Sequence, residues 1–195
     1  MAQNSPVSLL EPAEEALVIR CQLGDRQAFA ALLTRWLTPL HRFLWSVCGS
    51  RDGADELAQE VWLRVLRGLP TLRDAARFRA WLFGIAHRVL ADVHSARHLS
   101  PDAAEDAAAA ELRTDSEWQQ DPAAAGRLDA QALAHGLSHL LLQEREVLTL
   151  FYLEGMSLAE VATVLAIPIG TVKSRLFRAR SAMRALLAPA SESMS

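Results

Sequence analysis

The step at which apolar residues recur constrains this chain more than any other feature. From Phe29 onward, Leu32, Leu33, Trp36, Leu37, Leu40, Phe43 and Leu44 return every three or four residues. That step lays an apolar stripe along one face of a helix. No segment alternates apolar and polar residues as a half-buried strand must, so an all-α fold is expected. Pro39 falls inside the stripe, lacks a backbone donor, and should kink or divide the helix. A second helix is expected from about Asp52 to Leu69, stopped by Pro70. A third is expected from about Ala75 to Ala96, burying Phe78, Trp81, Leu82, Ile85, Val89 and Leu90. A shorter helix from about Glu11 to Leu23, closed by Gly24, precedes them and completes an N-terminal domain over residues 1–96.

The pattern then breaks. Residues 97–129 are rich in Ala, Asp and Glu, poor in large aliphatics, and punctuated by Pro101, Pro122 and Gly126. They offer little to bury beyond Leu112 and Trp118, which reads as a linker. Periodicity resumes over residues 130–187, a second compact helical domain, with residues 188–195 as a flexible tail. The expected architecture is therefore two small helical domains joined by an acidic flexible linker, the C-terminal one a helix-turn-helix.

With 51% apolar residues the chain has enough material for real cores. No uninterrupted apolar run is long enough to span a bilayer, so no direct membrane insertion is expected. The N-terminus lacks the basic start, apolar stretch and small-residue cleavage site of a signal peptide. Cys21 and Cys48 match no ligand spacing and read as buried thiols in a reducing compartment, which points to the cytoplasm.

Net charge is −3, which by itself argues against a nucleic-acid partner. Its distribution reverses that reading. Residues 98–130 hold eight acids against two arginines, whereas residues 169–184 hold Lys173, Arg175, Arg178, Arg180 and Arg184 with no acid. On a helix from 171 to 185, Val172, Leu176, Ala179, Met183 and Leu186 share one face. Ser174, Phe177, Arg178 and Ser181 lie roughly opposite, flanked by Lys173, Arg175, Arg180 and Arg184.

Upstream, "SLAEVATVL" (157–165) is a short helix with Ser157 as N-cap and Glu160 completing a capping box. Pro168 and Gly170 break the chain, and Thr171 is placed to cap the next helix. Two short helices joined by a tight turn, the second basic on its open face, form a helix-turn-helix able to enter a DNA major groove. Lys173, Arg175 and Arg180 suit phosphates, Arg178 suits bidentate reading of a guanine, and Phe177 suits a thymine methyl.

"LLLQEREVLTLFYLEGMSLAEVATVLAIPIGTVKSRLFRARSAMRALL" resembles the C-terminal DNA-binding domain of bacterial sigma-70 family sigma factors, extracytoplasmic-function (ECF) group. "GDRQAFAALLTRW", "DGADELAQEVWLRVLRGL" and "FRAWLFGIAHRVLAD" independently resemble that family's core-binding and promoter-melting domain. The C-terminal motif alone also resembles LuxR-type regulators, the alternative reading: a helix-turn-helix regulator that binds DNA without joining the polymerase. "SRLFRAR" and the whole N-terminal half favour the sigma factor.

The resemblance implies roles that spacing does not. "DELAQEVW" looks like the surface that docks on the clamp helices of the largest RNA polymerase subunit, which assigns core binding to Asp55, Gln59, Glu60 and Trp62. Leu57, Val61 and Val65 would pack behind them. The segment from about Leu69 to Asp92 looks like the part that captures bases of the −10 element. Arg73, Arg77, Arg79, Arg88 and Asp92 are available there, with Trp81 either a stacking platform or core. Thr171, Lys173, Ser174, Arg175, Phe177, Arg178 and Arg180 would contact the −35 element, which the polymerase flap helps present. Lys173, Ser174, Phe177 and Arg178 match members that read a GGAAC-type sequence. An anti-sigma factor is the further partner implied, and the acidic linker would imitate nucleic acid in a basic polymerase channel.

Three departures stand out. "IAHR" replaces the usual "IARN", so Arg88 takes the place of an asparagine in the base pocket. The basic run expected after Asp92 is thin, and Ala166 stands where a turn glycine is usual. Catalytic signatures are missing from the sequence: it has no "GxxxxGK" phosphate loop, nucleophile elbow or CxxC pair. His94 with His98 and His135 with His139 have helical spacing but no convincing further ligands, so neither a metal nor another cofactor is expected.

Overall fold

A computed structural model describes residues 11–48, 51–97 and 136–187. The acidic segment 98–129, with Pro101, Pro122 and Trp118, lies outside the described residues, as do His98, His135 and the tail after residue 187. All regular structure among the described residues is helical. Two compact units result, 11–44 with 51–97 and 45–48 with 136–187.

In the first unit, α1 (Glu11–Gln22) ends where Gly24 turns the chain at φ +86°. Asp25 then caps α2 (Arg26–Cys48): its Oδ1 accepts from the N–H of Gln27 at 2.9 Å and of Ala28 at 3.1 Å. Of the two outcomes expected at Pro39, division does not occur: α2 is a single helix through it. An interior proline costs about 3 kcal/mol. Leu40, Phe43 and Leu44 beyond it are fully buried, and each contributes roughly 2 kcal/mol. Packing wins over the missing hydrogen bond.

α3 (Arg51–Gly68) runs into a 3₁₀ turn, Leu69–Thr71, where Pro70 occupies a first-turn position that needs no N–H. A second 3₁₀ turn, Ala75–Arg77, leads into α4 (Phe78–Arg97). α3 packs along α4, and α1 packs on both short turns. Between the helices an aromatic cluster closes the core. Phe83 meets Phe43 at 5.4 Å and Trp36 at 6.0 Å, both edge-on, and Trp36 also meets Phe78 at 6.3 Å.

In the second unit, helical residues 136–138 precede α5 (Leu142–Leu148), which widens into a π-turn over Thr149–Leu153. Gly155 reverses the chain at φ +63°. α6 (Leu158–Leu165) and α7 (Ile169–Leu187) follow, and α5 and α6 both pack on α7. Leu137, Leu140, Leu148, Ala179 and Met183 form one buried cluster, with Val161, Val164, Leu165, Val172 and Leu176 buried nearby.

Candidate nucleic-acid interface

The capping box at α6 forms as the sequence predicts. The Ser157 N–H donates to Glu160 Oε2 at 2.8 Å, and the Glu160 N–H donates to Ser157 Oγ at 3.3 Å. α6 ends at Ala166, whose φ of 54° and ψ of 39° put a non-glycine residue in the left-handed region. Ile167 N–H returns to the Ala162 carbonyl at 3.1 Å.

α7 begins two residues before Thr171, at Ile169. Thr171 therefore lies inside the first turn rather than at the cap, and its own N–H donates to Pro168 O at 2.9 Å. The cap position expected of Thr171 falls to Pro168, which has no side-chain acceptor; its backbone carbonyl also accepts from the Val172 N–H at 3.1 Å. Thr171 O in turn accepts from Ser174 Oγ at 3.0 Å.

Val172, Leu176, Ala179 and Met183 are buried, as the periodicity requires, whereas Leu186 is 43% exposed and leaves the core face. On the open side, Phe177 is 52% exposed, a phenyl ring left in water among basic residues. Lys173, Arg175, Arg178 and Arg180, on the same helix, are half-buried. Arg178 is also ion-paired: its Nε lies 3.3 Å from Oε1 of the buried Glu144 in α5.

The N-terminal candidates divide into exposed and buried. Asp55 and Gln59 are exposed on α3, and Asp55 Oδ1 lies 2.6 Å from His41 Nε2. Trp62, at the edge of the same face, is buried instead of exposed. It is 8% exposed and meets Phe29 edge-on at 6.2 Å, so it anchors α3 to α2. Leu57, Val61 and Val65 are buried behind the helix, as expected of packing support. Leu63 and Leu66, which the sequence does not single out, are 47% and 53% exposed on α3. Spacing sets both off the stripe of Leu57, Val61 and Val65, but it leaves Trp62 at the same edge.

Glu60 and Asp92, placed by sequence in different roles, meet on one guanidinium. Arg64 donates from Nε to Glu60 Oε1 at 2.8 Å and from Nη1 to Asp92 Oδ2 at 2.8 Å. Those two carboxylates, Glu60 first, raise the Arg64 pKa above its ordinary value.

Around the loop between α3 and α4, Arg73 and Arg77 are exposed, as is Arg88 further along α4, and Arg79 is half-buried. Arg77 Nε pairs with Asp74 Oδ2 at 3.3 Å, while Asp74 Oδ1 accepts from the Ala76 N–H at 3.1 Å. Trp81 is half-buried rather than fully buried as its spacing predicts: it lies 6.0 Å from Phe78 and closes against Gly68, where an added Cβ would come within 2.9 Å of its ring. The loop is also held by Gln22, which the sequence reading did not single out. Its side-chain amide donates to the carbonyls of Leu69 at 3.1 Å and Leu72 at 2.7 Å.

Cys21 and Cys48 are half-buried thiols, and burial pushes the Cys21 thiol pKa up. Among the described residues no cluster of His, Cys, Asp and Glu could hold a metal ion, and no helix is long and apolar enough to cross a membrane.

Comparison with known proteins matches both units. Residues 32–106 match the family described as Sigma-70 region 2, and residues 130–183 match Sigma-70, region 4. The chain is 30% identical to the RNA polymerase sigma-H factor of Pseudomonas aeruginosa, over 93% of this chain and 97% of that one. It is 28% identical to the ECF RNA polymerase sigma-E factor of Haemophilus influenzae, over 90% of this chain and 96% of that one. Among solved structures it is similar to the sigma factor RpoE of Bartonella quintana, crystallised with the anti-sigma factor NepR. That match has a TM-score of 0.64 at 26% identity, covering 82% of this chain and 96% of that one.

Proposed function

This chain belongs to the sigma-70 family of RNA polymerase sigma factors, in its ECF group, and from that premise we propose how its residues divide the work of initiation. The first unit docks on core RNA polymerase through the open face of α3, with Asp55, Gln59, Leu63 and Leu66 in contact and Trp62 as the anchor beneath. The docking partners are the clamp helices of the largest subunit. The loop 69–77 and the neighbouring face of α4 take unstacked −10 bases, with Arg73, Arg77, Arg79 and Arg88 supplying positive charge.

The second unit reads the −35 element as duplex, next to the polymerase flap. α7 enters the major groove, Lys173, Arg175 and Arg180 meet phosphates, and Arg178, Phe177 and Ser174 meet base edges of a GGAAC-type sequence. The acidic segment 98–129 joins the units inside the polymerase and imitates nucleic acid there. Catalysis belongs to the polymerase; this chain supplies promoter choice, in the cytoplasm, and an anti-sigma factor masks it until a signal arrives. The crystallised partnership of the Bartonella relative supports that last reading.

One observation carries the proposal. α7 buries Val172, Leu176, Ala179 and Met183 completely or nearly so, and leaves Phe177 exposed among basic side chains on the other side. A solvated surface helix has no use for that ring. The test is run-off transcription with purified core polymerase on a library of varied −35 and −10 elements. Specific initiation is expected, and it should disappear when Gln59→Ala and Leu63→Ser are combined. DNA binding without core association or initiation would return the LuxR-like reading.

A further inference from the structure

We propose that Gln22 is a positioning residue for the −10 loop: its side-chain amide fixes the loop's entry turn before any base arrives. The proposal rests on the reading that residues 69–77 take −10 bases. Gln22 is the last residue of α1 and follows the fully buried Val18 by one helical turn. At that position packing alone would favour an aliphatic side chain. The glutamine instead brings two N–H donors, and two carbonyls meet its nitrogen, Leu69 O at 3.1 Å and Leu72 O at 2.7 Å.

Those carbonyls belong to the two ends of one turn. The Leu72 N–H already closes that turn by donating to Leu69 O at 3.1 Å, and Gln22 ties both ends to α1. Two neighbouring contacts fix the flanks. Thr71 Oγ1 donates to Gly68 O at 2.7 Å, and Asp74 Oδ1 accepts from Ala76 N–H at 3.1 Å. The exposed Arg73 lies between these ties. A loop held this way loses less conformational freedom on binding than one that must order around its ligand.

The test uses holoenzyme assembled from core polymerase and the full chain. The probe is a fluorescent single-stranded oligonucleotide carrying the non-template −10 element of a promoter returned by the run-off library. Affinity and discrimination against a probe with a substituted −10 base are measured for wild type, Gln22→Leu, Gln22→Glu and Gln22→Lys. Leucine keeps the bulk without donors, glutamate sets a carboxylate against two carbonyls, and lysine restores donors. Gln22→Leu and Gln22→Glu should lose about tenfold in probe affinity, with discrimination falling alongside, while Gln22→Lys stays within about twofold of wild type. Core association and −35 duplex binding should be unchanged in all.

A purely structural role would lower the active fraction and the thermal midpoint but leave affinity and discrimination of the folded protein intact. Gln22→Leu with wild-type affinity and discrimination, beside a wild type that does discriminate, overturns the role of Gln22 alone. A wild-type holoenzyme indifferent to −10 bases overturns the reading of the loop and this proposal with it.

Discussion

Arg178 Nε stands 3.3 Å from Oε1 of Glu144, which ties the base-reading candidate of α7 to α5 of the same unit. The Glu144 side chain is 10% exposed and that of Arg178 is 41% exposed. The second carboxylate oxygen accepts from the Leu141 N–H at 3.4 Å, at the start of α5. A buried carboxylate thus restrains the stem end of the guanidinium, which fixes its direction better than solvent would.

Arg178→Ala should cost about 1–3 kcal/mol of discrimination at a single base pair of the −35 duplex. Glu144→Ala should erode the same discrimination with the arginine still present. Lys173→Ala should weaken all sequences alike and reduce the slope of log affinity against log salt by about one. Fluorescence anisotropy over duplex variants at several salt concentrations separates these outcomes. Uniform loss for Arg178→Ala would remove it from base reading.

Ala166 is the one described non-glycine residue at positive φ, in the left-handed region. Ala166→Gly removes the clash of Cβ with the backbone and should raise stability by about 1 kcal/mol, although glycine loosens the unfolded chain. A thermal midpoint that falls would show that the turn is not strained.

Gly68 has an ordinary helical φ of −90°, so its lack of a side chain is a matter of space. A Cβ there would meet Trp81 Cζ2 at 2.9 Å, against a ring rather than a flexible chain end. Gly68→Ala should destabilise the protein by about 1–3 kcal/mol by overpacking. Chemical denaturation measures the loss; an unchanged midpoint would mean that Trp81 yields freely.

Asp25 accepts from the Ala28 and Gln27 N–H groups and from Arg20, whose Nη2 is 2.7 Å away. The bond from Ala28 first, then the one from Arg20, lowers its pKa below the ordinary 3.8. A carboxyl depressed in the folded state stabilises it fully above the unfolded value. That contribution is lost as pH falls from there through the folded value. Asp25→Asn should therefore lower the thermal midpoint at neutral pH and flatten its decline on acidification below about 4. Parallel acid profiles for the two proteins would contradict this.

The helices were legible because apolar spacing is local and repeats, and the capping box because Ser157 and Glu160 sit one turn apart. What escaped was non-local or lay on a boundary. Trp62 and Leu63 are neighbours at the edge of the α3 stripe, and spacing could not tell which would turn inward. The size of the indole and its place against Phe29 decided it. Gln22 finds its acceptors 47 and 50 residues away, and Glu144 finds Arg178 on another helix. Pairing over such distances leaves no periodic trace. The local cost of Pro39 is visible in sequence, whereas the burial that outweighs it appears only after folding.

Arg64 also bears on how such a chain can be recombined with its relatives. Its Nε and Nη1 grip Glu60 on α3 and Asp92 on α4, so the two helices share one cation. Transplanting α3 alone into a relative without a matching acid on α4 would strand one arm of that guanidinium. Chimaeras that exchange α3 and α4 as a block keep the lock intact, and the unit of exchange is therefore the helix pair rather than the single motif.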